Sequence, residues 1–139
     1  MDSTSIELPG SQIAAVVVDG DEVSIRFEPA YVIKTMTGSV ERTRWWQNGA
    51  LVFSDAELAD DEPLPTLPAR CNGGDVGENV YTYRDMIPVP LQSHGRAHCA
   101  LKVGDATIRV TAAAVRLVME DVPRYIEHIR PGTVSQEGS

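Results

Sequence analysis

Asp19-Gly20, Asn48-Gly49 and Gly104-Asp105 each lie between two runs of alternating apolar residues. Two-residue connections containing Gly accept the positive φ that hairpin turns demand, and the twist of those turns matches that of antiparallel strands. Three such signals confine the chain to consecutive hairpins. Short strands bounded by turn residues recur at close intervals and no long helical period appears. The expected fold is therefore all-β, a small antiparallel barrel or two-layer sandwich of about eight or nine strands. At 139 residues one domain spanning 1–139 buries roughly two-thirds of its unfolded surface.

Counting outward from each turn assigns a register. Around Asp19-Gly20, Val18, Val16 and Ala14 come opposite Val23, Ile25 and Phe27, which leaves Ile13, Ala15 and Val17 on a second, half-covered face. Glu28-Pro29 breaks this ladder because Pro has no donor, and Tyr31 to Thr35 starts a further strand. Around Asn48-Gly49, Trp46 faces Leu51 with Arg44 and Phe53 on the same side, while Trp45 shares the other side with Val52. Around Gly104-Asp105, Val103, Leu101, Cys99 and Ala97 stack on Ala106, Ile108, Val110 and Ala112. The apolar parity then moves from Ile108 and Val110 to Val115, Leu117 and Met119, which requires a bulge or bend within Thr111 to Ala114.

Between these hairpins the sequence turns polar. Residues 55–70 combine five acidic residues with Pro63, Pro65 and Pro68, and read as a solvated loop with one helical turn at Asp55 to Ala59. Asn72 to Gly77 reads as a glycine-rich turn, Asn79 to Arg84 as a strand, and Pro88 and Pro90 as an edge or crossover. Arg124 to Ile129 fits either a last strand or a helical turn before a polar tail over 131–139.

The 12 basic and 20 acidic residues leave a formal charge of -8, which opposes nucleic-acid phosphates and anionic lipid headgroups as partners. Met1 to Gly10 lacks a basic stretch followed by an apolar run, and no apolar stretch of about 20 residues occurs. The expectation is a soluble, cytoplasmic chain with Cys71 and Cys99 reduced.

No pattern demands a cofactor. His94, His98, Cys99 and Cys71 are zinc-ligand types, but His98 and Cys99 are neighbours on a strand and point to opposite faces. Asn72 to Gly77 lacks the helix and lysine of a phosphate loop, and Asp19, Asp21 and Glu22 lack the twelve-residue spacing of a calcium loop. No Gly-x-Ser-x-Gly is present. The aromatic residues are more informative. Trp45 and Trp46 point to opposite faces, and burial of both, under a second layer or a second chain, is the default. The alternative is a binding surface formed by Arg44, Trp45, Trp46, Tyr81 and Tyr83. The functional expectation is a non-catalytic domain that acts as a homodimer or by binding a protein partner. The alternative is a small-molecule barrel with an aromatic-lined pocket, and an enzyme using clustered carboxylates or His94 and His98 ranks third.

Overall fold

The computed structural model describes residues 3–36, 38 and 40–129. They form an all-β, antiparallel twelve-stranded sheet curled into a half-barrel. In chain order the strands are β1 Ser3–Glu7, β2 Gln12–Asp19, β3 Glu22–Thr35, β4 Arg42–Ser54, β5 Glu57–Leu58, β6 Ala69–Arg70, β7 Gly73–Glu78, β8 Tyr81–Arg84, β9 Met86–Pro88, β10 Gln92–Val103, β11 Ala106–Met119 and β12 Arg124–Ile129. No helix among them is long and apolar enough to cross a membrane.

Two long strands organise everything else. β3 and β4 pair along nearly their full length, and each changes its outer neighbour halfway. The first half of β3 pairs with β2 and the second with β1, while the first half of β4 pairs with β12 and the second with β11. From β4 the sheet continues through β11, β10, β7 and β8. Its far end is stitched back to the segment after β1, where Leu8 N–H donates to Asp85 O (3.0 Å) and Gly10 N–H to Cys71 O (2.9 Å). That return closes the concave side over the core.

The break expected at Glu28-Pro29 is real but does not end the strand. The β3–β4 register shifts by one residue between Phe27 and Ala30. Burial on β3 moves with it, from Val23, Ile25 and Phe27 to Ala30 and Val32. One extra residue inverts the facing of everything after it. Tyr31 to Thr35 is therefore the second half of β3, and Tyr31 is turned outward.

Asn48-Gly49 is not a turn. Residues 42–54 form one strand, in which Gly49 lies beside Phe27 on one side and Met119 on the other. A Cβ there would press against the Met119 sulfur and the Val118 carbonyl oxygen, both at 2.8 Å. The glycine serves close approach between strands, a use that looks the same in sequence as a hairpin signal. Uninterrupted alternation then puts Trp45 on the side of Leu51 and Phe53, and Trp46 on the side of Val52, the reverse of the expected facing.

The other two hairpins are observed. Val18 and Val16 face Val23 and Ile25 as expected, but a bulge between Ile13 and Ala15 puts Ile13, not Ala14, opposite Phe27 and into the core. The hairpin around Gly104-Asp105 has all four expected pairs, with His98 and Lys102 outside. The parity change falls where expected: the β10–β11 register shifts between His94 and Ala97, opposite Ala112 to Ala114, and burial on β11 moves there from Ile108 and Val110 to Val115. Further corrections concern the connecting segments. Asp55 to Ala59 holds β5 in place of a helical turn, paired with Val110 and Thr111. Asn72 to Gly77 is mostly β7, a buried strand rather than a flexible turn. Arg124 to Ile129 is a strand, and the tail over 131–139 lies outside the described residues.

Cys71 and Cys99 are both buried free thiols. Burial raises the pKa of each, pushing Cys99 up to about 12, because a thiolate in the core would lose its hydration. A thiol reagent at pH 8 is expected to leave both unmodified in the native protein and to label both after denaturation, as mass spectrometry would count. The raised Cys99 value also carries a sign. Its contribution to stability is whole below the ordinary thiol range and is lost as pH rises from about 9 toward 12.

Candidate functional site

The feature that most resembles a binding site is a groove on the outer face where β3, β4 and β12 run together. Its apolar half, about 420 Å³, is lined by Glu28, Pro29, Tyr31, Trp46, Asn48 and Ile126. Its polar half, about 370 Å³, is lined by residues that include Glu7, Gly10, Arg44, Arg70 and Glu127. Tyr31 and Ile126 border both halves, which makes the groove continuous.

Local structure explains why these side chains meet. Tyr31 and Trp46 are direct cross-strand partners, and the Glu28-Pro29 irregularity is what turns Tyr31 outward to join Trp46. The Tyr31 ring rests beside Gly10. That loop is held by buried Ser11, whose hydroxyl donates to Glu7 O (2.6 Å) and accepts the Tyr31 N–H (2.9 Å). The third wall depends on how the chain leaves β11. Arg26 donates through both terminal nitrogens to Glu120 (2.6 Å each) and also pairs with Glu28, while Gln47 donates to the Glu120 and Asp121 carbonyls (3.1 Å). The Arg26 guanidinium holds the Glu120 carboxyl below the usual carboxylate range. This clamp returns the chain so that β12 pairs with β4 and presents Ile126.

Arg44 lies between the halves as a clasp. It pairs with Glu7 of β1 (3.3 Å) and with Glu127 of β12, and its Nε is buried without a hydrogen-bond partner. With two carboxylates already on its guanidinium, its charge is spent inside the protein. Trp46 is 36% exposed, with the Arg124 guanidinium 5.5 Å from its ring centre.

The remaining expected site residues lie elsewhere. Trp45, on the other face, donates to Thr43 Oγ1 (2.8 Å), carries Lys34 4.4 Å from its ring centre and meets Tyr125 edge-on at 5.3 Å. The default of two buried tryptophans is thus corrected, since Trp45 is half-buried and Trp46 exposed. Tyr81 and Tyr83 belong to β8 and line neither half of the groove. Tyr83 donates to Glu78 (2.7 Å), an acceptor that pushes its phenol up to about 12. Of the five expected residues the fold unites Arg44 and Trp46. It adds Pro29, Tyr31, Arg70 and Ile126, none of which belongs to the expected set.

A second, polar cleft of about 470 Å³ is lined by residues including Asp75, Arg84, Asp85, Lys102 and Arg109. Arg84 pairs there with Asp75 (3.2 Å) and Asp85 accepts the Gly74 N–H (2.9 Å), while Lys102 and Arg109 have no carboxylate partner among the described residues. His98 lies over Gly77 on the outer face while Cys99 points into the core. Among the described residues no three His, Cys, Asp or Glu side chains are grouped to hold a metal ion. No protein-family model, curated protein or solved structure matches this chain.

Proposed function

We propose that this chain is a non-catalytic assembly domain that pairs with a second copy of itself through the edge of β2. The observation that carries this reading is an undefended edge. β6 covers only Gln12 and Ile13, so among the described residues no strand lies beside Ala14 to Asp19 on that side of β2. Residues 13–18 read Ile-Ala-Ala-Val-Val-Val, without charge, Pro or Gly. Edge strands are normally blunted by charge, Pro or brevity, and a six-residue apolar stretch with high β propensity is a template for another strand. Val17 and Val18 are 50% and 57% exposed there.

A two-fold register suits the edge. Asp19 and Glu22 flank a two-residue turn, and such residues exchange both ladder bonds, so Asp19, Val17 and Ala15 turn their backbone groups toward β3. Those of Val18 and Val16 face outward. Antiparallel pairing centred on Val17 sets each Val16 against the partner copy's Val18, satisfies these outward groups reciprocally and keeps like faces together. Six residues of edge bury less than a standard interface, so the dimer is expected at micromolar rather than nanomolar concentration.

Size-exclusion chromatography with light scattering across the micromolar range tests the proposal. The parent chain is expected to have twice the monomer mass at high concentration. Val17→Lys should remain monomeric and Val80→Lys, at an 89% exposed hairpin turn, should behave as the parent. A monomeric parent at about 100 µM, or an unaltered mass for Val17→Lys, would refute it.

A further inference from the structure

We infer that the outer groove is a docking site for an extended acidic segment of another protein, one that carries an aromatic or large apolar anchor. Three observations converge on this occupant.

The first is the apolar half. Trp46, Tyr31, Pro29 and Ile126 form one wall, with Trp46 36% and Ile126 40% exposed. Exposed Trp and Tyr beside Arg are the residues that supply most of the energy at protein interfaces. A phenyl or aliphatic side chain laid between Trp46 and Ile126 would cover surface that the chain's own fold leaves wet.

The second is charge. The groove's neighbourhood holds Arg26, Arg44, Arg70 and Arg124 against Glu7, Glu28, Glu120 and Glu127. The internal pairs account for all four carboxylates, since Arg26 takes Glu28 and Glu120, and Arg44 takes Glu7 and Glu127. Arg70 and Arg124 have no carboxylate partner among the described residues. A chain with a formal charge of -8 thus keeps two uncommitted cations around this groove, Arg70 lining it and Arg124 against the Trp46 ring. A carboxylate on the incoming segment is the complementary group.

The third is shape. The groove is open along its length rather than closed over, so it cannot surround a compact small molecule, whereas an extended segment needs only a trough and an anchor pocket.

This surface is separate from the β2 edge, and the test keeps the two apart by using both the parent chain and Val17→Lys. Fluorescein-labelled peptides carrying one Phe followed after one, two or three alanines by one Asp would be titrated by anisotropy. At least one spacing is expected to saturate below about 1 mM on both proteins. For that peptide, Phe→Ala or Asp→Asn, and on the protein Trp46→Ala or Arg70→Ala, should each weaken binding about tenfold. Arg84→Ala, in the polar cleft, serves as the control and should leave binding unchanged. No saturable signal from any spacing would overturn the inference, as would indifference to Asp→Asn or to Arg70→Ala. Binding of 3-phenylpropionate as tight as that of the best peptide would overturn it in favour of a small-molecule site.

Discussion

Gly74→Ala is expected to lower the stability of the folded chain by about 3 to 5 kcal/mol. Two costs fall on one atom. Gly74 has a φ of +141°, a backbone conformation closed to residues with a Cβ. A Cβ built there would lie 2.9 Å from the Leu101 Cα and closer still to the Ala100 carbonyl oxygen. The obstruction is the backbone of β10, which pairs with β7 at this level and cannot rotate aside as a side chain would. Relief would require β7 and β10 to separate, which would also loosen the adjacent pairing of Cys99 with Val76. Gly20→Ala makes the comparison informative. Gly20 also has a positive φ, +60°, but nothing lies within 4 Å of its added Cβ, so only the backbone term of about 1 kcal/mol remains. Urea melts of the two variants would check the difference, and equal losses would mean that β7 does not approach β10 as described.

Leu101→Ala is expected to cost about 2 to 5 kcal/mol, against about half a kcal/mol for Lys102→Ala. Leu101 is 0% exposed, pairs with Ile108 on one side and Gly74 on the other, and belongs to the main core with Phe27, Phe53 and Val110. Truncating it leaves a void that the surrounding strands cannot close, because its neighbours are held by ladder bonds on both sides. Lys102 is exposed on the opposite face. A one-residue slip of this hairpin would exchange their environments, so similar losses for the two variants would show the register to be wrong.

A small feature decides where Tyr31 and Trp46 point. Cross-strand pairing preserves facing, so the irregularity in β3 at Glu28-Pro29 sets whether Tyr31 lies inside or outside. Pro in an apolar run announces an interruption, but whether the strand ends there or continues with its parity inverted depends on whether β4 remains alongside. β4 remains alongside because Asn48-Gly49 is strand interior, and Gly49 is needed there by Met119, a residue 70 positions later in the chain. A glycine required by a distant neighbour and a glycine required by a turn are the same letter. For that reason residue order alone points to a second hairpin and to the opposite facing of both tryptophans.

The all-β class and the register around Gly104-Asp105 were legible from residue order, because each rests on interactions a few positions apart: alternation along one strand, turn residues between two, and Pro excluded from a ladder. The groove was legible only in part. Arg44 and Trp46 stood out as a cation and an aromatic close in sequence, but Arg70 and Ile126 reach them through pairings between distant segments, Gln12 with Arg70 and Trp46 with Arg124. Local chemistry is written in neighbouring residues and can be read from them. Which face stays exposed, which edge lacks a neighbour and which charges remain uncommitted depend on long-range strand pairing, and that pairing is set by burial of the whole core at once.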